Sequence, residues 1–216
     1  MRSPPPPTVA VVDDDEAFRD SLVWLLRASG HTVDAYENGT TFLAGWHPER
    51  PGCLLLDIRM PDMTGLYLQD ELIRRGYTAP VGFLTGHGDV PMAVNALQKG
   101  ALHFLEKPCN DRDLLDVVTR ALAEDRRARD SRGQRELHRA RLARLTPRER
   151  AVLERVVAGK INKVTADELG VTVKTVEAHR AQLMKKLDVD STAQLVRLWY
   201  DVGESPMAPD TPPGRS

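Results

Sequence analysis

Cys53-Leu54-Leu55-Leu56-Asp57-Ile58-Arg59-Met60-Pro61-Asp62-Met63-Thr64-Gly65 begins as an unbroken apolar run, stops on a carboxylate, and passes into a turn containing proline and glycine. A run without polar alternation is the pattern of a strand covered on both faces by helices, and an acid where it ends sits at the rim of the sheet. Asp57 is therefore the first candidate for the seat of the chemistry. An aspartate at a strand end is also a common turn former or helix cap, and this stretch alone does not separate the two readings.

The same rhythm recurs on both sides. Val9-Ala10-Val11-Val12 is a short apolar strand ending on Asp13-Asp14-Asp15-Glu16, and Phe18, Leu22, Leu25 and Leu26 then follow helical spacing up to Gly30. Further units pair a strand at Thr32 to Ala35 with a helix at Thr40 to Trp46, and Cys53 to Asp57 with Gly65 to Arg75. Val81 to Leu84 pairs with Val90 to Lys99, and Ala101 to Leu105 with a helix from Asp111. Strands alternating with helices predict a parallel, doubly wound α/β sheet of five strands. In such folds the site lies outside the carboxyl ends of the strands, where strand order reverses. Asp13, Asp14, Asp57, Thr85 and Lys107 all fall at that rim. Each has a plainer reading as well: a solvated acidic turn, a cap for the following helix, an ordinary surface lysine.

The chain has 216 residues, 41% hydrophobic and 28% charged, which fits two small soluble domains better than one large one. A net charge of −1 hides an uneven distribution: residues 8–124 carry −8, residues 125–145 carry +5 and residues 146–200 carry +3. The front half repels polyanions and attracts cations, while the back half can meet phosphates. Cys53 and Cys109 form neither a metal spacing nor a disulfide framework, which suits a reducing cytosol. No apolar run reaches membrane-spanning length, and Met1 to Pro7 contains no signal-peptide core, so a cytoplasmic protein without membrane attachment is expected. Residues 1–7 and the Pro-rich 202–216 read as a disordered lead-in and tail.

Asp13-Asp14, Asp57 in its Asp-Ile-Arg-Met-Pro-Asp-Met-Thr-Gly setting, Thr85 in Leu84-Thr85-Gly86-His87-Gly88-Asp89-Val90-Pro91-Met92-Ala93, and Lys107-Pro108 occur together and in order. In this combination residues 8–124 resemble the receiver domain of two-component response regulators, the FixJ type in particular. The resemblance implies a flavodoxin-like fold and a magnesium site formed by Asp13, Asp14, Asp57 and the backbone carbonyl of Arg59. A hard cation of this kind prefers oxygen ligands and offsets the charge of an incoming phosphoryl group. Asp57 would then be the phosphoacceptor, forming an aspartyl phosphate, with Lys107 and Thr85 contacting the phosphoryl oxygens. Phe104 stands where the family places an aromatic whose rotamer follows the Thr85 switch, though a core phenylalanine on the last strand reads the same way. The family also implies a cis Lys107–Pro108 bond, which base rates for X-Pro bonds would not predict. Cys109 and His103 depart from the residues common at their positions, which leaves the surface of the last strand open.

Residues 125–143, rich in arginine, read as a solvated helical linker with Gly133 as a weak break. Beyond it, Thr146-Pro147-Arg148-Glu149 is a strong helix start. Helices over Pro147 to Gly159, Asn162 to Leu169, Val173 to Leu187 and from Ser191 predict an all-α four-helix domain with a helix-turn-helix at its centre. The stretches Leu145 to Arg150, Ala158 to Lys163 and Val171 to Arg180 make residues 144–201 similar to the LuxR/NarL-type DNA-binding domain. The likeness implies that Thr172, Lys174, Thr175, His179 and Arg180 lie at the groove, chiefly on phosphates. Glu177, Ala178 and Ala181 would face base edges, with Asn162 and Lys163 on the DNA backbone. Val176, Leu183 and Leu187 read as core, and Thr165 takes a place that is usually apolar.

Together the two resemblances imply a response regulator transcription factor, a phosphoprotein that receives its phosphoryl group from a sensor histidine kinase. It would act as a homodimer on promoter DNA, with RNA polymerase as a further partner. Beyond self-phosphorylation from a phosphodonor and slow autodephosphorylation, no enzymatic activity is expected. An aspartate-nucleophile phosphatase is the competing enzyme reading, but its Asp-x-Asp spacing is missing because Arg59 follows Ile58. A receiver used only as a phosphate-independent dimerisation module is a third reading, disfavoured by the complete acidic set.

Overall fold

The apolar run forms β3 (Gly52–Asp57), buried along its whole length, in a computed structural model that describes residues 6–47, 50, 52–86 and 90–203. Around it in sequence, β1 (Thr8–Val12), β2 (Thr32–Tyr36), β4 (Val81–Thr85) and β5 (His103–Glu106) alternate with helices. These are α1 (Glu16–Ala28), α2 (Gly39–Gly45), α3 (Gly65–Arg74), α4 (Val90–Gln98) and α5 (Asp111–Leu142). The strands pair in parallel in the order β2-β1-β3-β4-β5, which reverses direction at β1. Most of the expected lead-in (residues 1–5), the tail from residue 204 and the stretch 87–89 lie outside the described residues.

Successive side chains of β3 face opposite sides, so both faces of the sheet are covered. Leu54 and Leu56 pack with Phe42 of α2 and Leu68 and Leu72 of α3. Cys53 and Leu55 pack with Leu22 and Leu26 of α1 and Leu114 and Val118 of α5. Burying each leucine contributes about 1.5–3 kcal/mol, which favours an apolar residue at every position until the strand reaches its rim.

Register then brings the acids together. Val12 pairs with Leu56, so Asp13 leaves the sheet beside Asp57. Asp57 pairs with Leu84, and Thr85 with Glu106, which places Lys107 one residue beyond Thr85's neighbour. The chain after Asp57 must turn tightly: a Cβ on Gly65 would lie 2.2 Å from the Asp57 carbonyl oxygen. Only glycine lets α3 begin this close to the strand, with its N–H on the Ile58 carbonyl at 2.9 Å.

Residues 125–142 of the expected helical linker lie within α5. α5 runs unbroken through Gly133 for 32 residues, and the chain divides into two compact units between Arg129 and Asp130. Asp125 is 2% exposed and accepts hydrogen bonds from the Gly52 N–H at 2.9 Å and Arg129 Nε at 2.8 Å. Arg129 Nη2 also donates to the Arg50 carbonyl at 2.6 Å, so this part of α5 is fastened to the first unit. At the other end Leu142 enters the core of the second unit. An arginine-rich composition concealed a buried acid, Asp125, paired with the half-buried Arg129, and Leu142 is buried further along the helix.

In the second unit, α6 (Pro147–Val157), α7 (Asn162–Leu169), α8 (Val173–Leu187) and α9 (Thr192–Asp201) follow α5. Thr146 and Glu149 form a reciprocal capping box at the start of α6, and Glu149 also receives Lys186 Nζ at 2.7 Å. Gly170, at φ 64°, ends α7 in the left-handed conformation. Val152, Leu153, Val176, Leu183, Leu187 and Trp199 form the core. Among the described residues no helix is long and apolar enough to cross a membrane.

Candidate functional site: an acidic rim and a helix-turn-helix face

At the carboxyl ends of β1 and β3, the carboxylates of Asp13, Asp14 and Asp57 bring one oxygen each within 4.8 Å of one another. Asp13 and Asp57 are buried and Asp14 is exposed. Lys107 Nζ lies between the buried pair, 2.7 Å from Asp13 Oδ2 and 3.3 Å from Asp57 Oδ1. The shorter contact is an ion pair by distance, yet Asp13 Oδ2 makes no directional hydrogen bond. Charge attraction does not depend on that angle, so the contact holds as an ion pair. A buried carboxylate oxygen with spare acceptor capacity, beside two further carboxylates, is a donor set suited to a hard divalent cation. Asp13 is held in place from its other side, with Oδ1 accepting the Asp15 N–H at 3.1 Å and the Asp13 carbonyl accepting Arg19 Nη1 at 2.7 Å.

Burial pushes the Asp57 carboxyl up to about 6, and the neighbouring Asp13 charge adds to the rise while Lys107 opposes it. Burial raises Asp13 in the same direction, again against Lys107. Two acids crowded into one desolvated site resist ionising together unless cations stand beside them. The Arg59 backbone N–H hydrogen-bonds the Asp57 carboxyl, so this residue reaches the site through its main chain.

Thr85 is 3% exposed, with Oγ1 donating to the Gly86 carbonyl at 3.1 Å. Phe104 pairs with Phe83, two residues before Thr85 on the same face of β4, so Thr85 and Phe104 are diagonal neighbours on one face of the sheet. Phe104 is half-buried against the core on that side. The Lys107–Pro108 bond is cis. Two contributors escaped the reading of the sequence. The Phe18 ring lies 4.6 Å from Lys107 Nζ, and Arg19 anchors the Asp13 backbone. Phe18 showed only as one apolar position on a helix, and nothing local marked Arg19.

In the second unit, Thr172 caps α8, accepting from the Thr175 N–H at 3.2 Å, and the two hydroxyls are 2.8 Å apart. Lys163, Lys174, Glu177, Ala178 and Ala181 are exposed, while His179 is half-buried with a buried Nδ1 that makes no hydrogen bond. Arg180, expected on phosphate, is half-buried. Its guanidinium donates to Asn162 Oδ1 at 2.8 Å and to Thr192 Oγ1 at 3.1 Å, tying α8 to the starts of α7 and α9. The planar fork reaches two neutral acceptors inside the unit, one of them the Asn162 side-chain oxygen. Thr165 is buried with its hydroxyl unpaired.

This arrangement, an acidic rim on a parallel sheet followed by a unit of short helices, has a family. Residues 9–119 match the response regulator receiver domain and residues 143–199 the luxR family of bacterial regulatory proteins. The chain belongs to the response regulators that join these two domains, and it is a response regulator transcription factor. It is 40% identical over 209 residues to the transcriptional regulatory protein TdiR of Thauera aromatica, covering 94% of this chain and 92% of that one. To the transcriptional regulatory protein FixJ of Azorhizobium caulinodans it is 42% identical over 205 residues, covering 94% and 96%. The solved structure of the response regulator StyR superposes with a TM-score of 0.82 at 41% identity, covering 91% of this chain and 99% of that one.

Proposed function

We propose that Asp57 accepts a phosphoryl group from a sensor histidine kinase and thereby controls how residues 144–201 engage promoter DNA. The observation that carries this reading is Lys107 placed across Asp13 and Asp57. Asp13, Asp14 and Asp57, with the Arg59 carbonyl, would hold Mg2+, which when bound supplies positive charge against the incoming phosphoryl oxygens. At neutral pH Asp57 is mostly ionised despite its raised pKa. Its carboxylate oxygen forms the new O–P bond as the bond from phosphorus to the kinase imidazole breaks, the departing nitrogen keeping the electron pair and later gaining a proton. Lys107 then exchanges a carboxylate contact for a phosphoryl oxygen, and the Thr85 hydroxyl turns from the Gly86 carbonyl to another. That turn clears space on the face it shares with Phe104. The added charge, about −1.5 to −2, shifts the population toward a receiver state that dimerises, so that paired DNA-binding domains meet two half-sites and engage RNA polymerase. The protein works in the cytoplasm and turns over no other substrate. In the test, wild type and Asp57→Ala are compared for mass gain with an acyl phosphate donor, promoter binding and transcription. An alanine variant that activates the cognate promoter as strongly as phosphorylated wild type refutes the reading.

A further inference from the structure

One group on the outward face of α8 carries the wrong charge for a surface that meets DNA. Lys174, Glu177, Ala178, Ala181, Gln182 and Lys185 are exposed, and helical periodicity gathers them on one side. Arg180 is half-buried and donates to Asn162 and Thr192, and Val176, Leu183 and Leu187 are buried. Glu177 stands among these lysines, yet among the described residues it takes part in no hydrogen bond or ion pair. Ala178 and Ala181 end at Cβ, so neither blocks its reach outward.

A carboxylate directed at a duplex is repelled by the phosphates and offers only acceptors. In the major groove guanine presents the acceptors N7 and O6, and thymine presents O4. Adenine places its N6 amino donor beside the N7 acceptor, while cytosine presents its N4 amino group without an acceptor of its own alongside. We infer that Glu177 determines specificity in this DNA-binding domain: its carboxylate accepts a hydrogen bond from a cytosine N4 amino group in each half-site. It rejects guanine and thymine at that position by setting lone pairs against lone pairs, so a mismatched site leaves a desolvated charge unpaired. The inference rests on α8 being the helix that enters the groove.

The test is selection of duplexes from a random-sequence library by full-length wild type, Glu177→Gln, Glu177→Ala and Ala181→Trp, each with an acyl phosphate donor. The enriched duplex is then titrated with single-base changes. Wild type fixes cytosine at one position per half-site, preferred about tenfold over thymine, the scale of one good side-chain contact to a base. Glu177→Gln, whose amide both donates and accepts, moves that position to adenine, and Glu177→Ala accepts all four bases. Unchanged thermal unfolding of the two Glu177 variants ties these shifts to recognition. Identical base preferences at every position in wild type and both Glu177 variants overturn the assignment. If Ala181→Trp abolishes enrichment in that case, only the role of Glu177 fails. If Ala181→Trp also leaves motif and affinity unchanged, α8 is not the reading helix and the DNA-binding reading fails with it.

Discussion

Replacing Asp57 with asparagine makes the receiver unit more stable when no divalent cation is present, although it removes the proposed phosphoacceptor. Burial first, and then the Asp13 charge, raise the Asp57 carboxyl from 3.8 to about 6. A displacement of that size is worth about 3 kcal/mol against the ionised form. The folded chain binds this proton more tightly than the unfolded chain, so ionised Asp57 costs stability. The cost is full above about pH 6, shrinks as the pH falls from there toward 3.8, and vanishes below. That figure is already net of the Lys107 attraction, so asparagine, neutral like the protonated acid, should gain about 2–3 kcal/mol near neutral pH. For a domain of this size that corresponds to a rise of roughly 4 °C or more in melting temperature. Thermal unfolding of wild type and Asp57→Asn in chelator, at about pH 7.5 and about pH 4.5, measures it. The gap should be present at the higher pH and largely closed at the lower, and excess Mg2+ at the higher pH should stabilise wild type more than the variant. A variant that melts at or below wild type at pH 7.5 in chelator refutes the reasoning, as does a gap of equal size at both pH values.

Asp125→Ala leaves the buried Gly52 N–H without a partner and Arg129 without its carboxylate; a loss of about 2–4 kcal/mol is expected, read as a lower urea midpoint for the receiver unit. Glu149 is buried, which alone would raise its pKa, but Lys186 and the Thr146 contacts hold it below the usual carboxylate range. Its stabilisation is therefore present above the unfolded value near 4.5 and lost as pH falls through the folded one. Glu149→Gln should cost about 1–3 kcal/mol at neutral pH and much less in acid, measured by hydrogen exchange of the α6 and α8 amides. Gly65→Ala forces a Cβ to within 2.2 Å of the Asp57 carbonyl oxygen. The strand end must shift, at about 1–3 kcal/mol, and phosphorylation by an acyl phosphate donor should slow, as followed by mass; a rate equal to wild type would show that the close approach does not position Asp57.

The acidic rim was legible because each of its members ends a strand or follows one, and strand ends are marked locally by apolar runs and turn residues. Once the alternation of strands and helices predicted a parallel sheet, Asp13, Asp57, Thr85 and Lys107 had to share one edge. The caps at Thr146, Thr172 and Ser191 were legible for the same reason, since a cap and its partner stand three residues apart. Arg180 was not. Its intramolecular partners, 18 and 12 positions away, leave no local mark in the sequence. Phe18 beneath Lys107 and Asp125 beneath Gly52 likewise belong to pairs that no local spacing reports.

By itself the sequence determined the order and kind of the elements, the boundary regions of two domains, and the chemical identity of both candidate surfaces, because periodicity, capping and turn chemistry act over a few residues. Only the tertiary structure decided that Lys107 spans two buried carboxylates and that burial outweighs Lys107, so that Asp57 is raised rather than lowered in pKa. It alone showed that residues 125–129 belong to the receiver unit through a contact 73 residues apart. It also left Glu177 exposed on α8 and gave Arg180 its partners Asn162 and Thr192. Desolvation and ion pairing depend on what surrounds a side chain in space, and that is set by the packing of segments far apart in the chain.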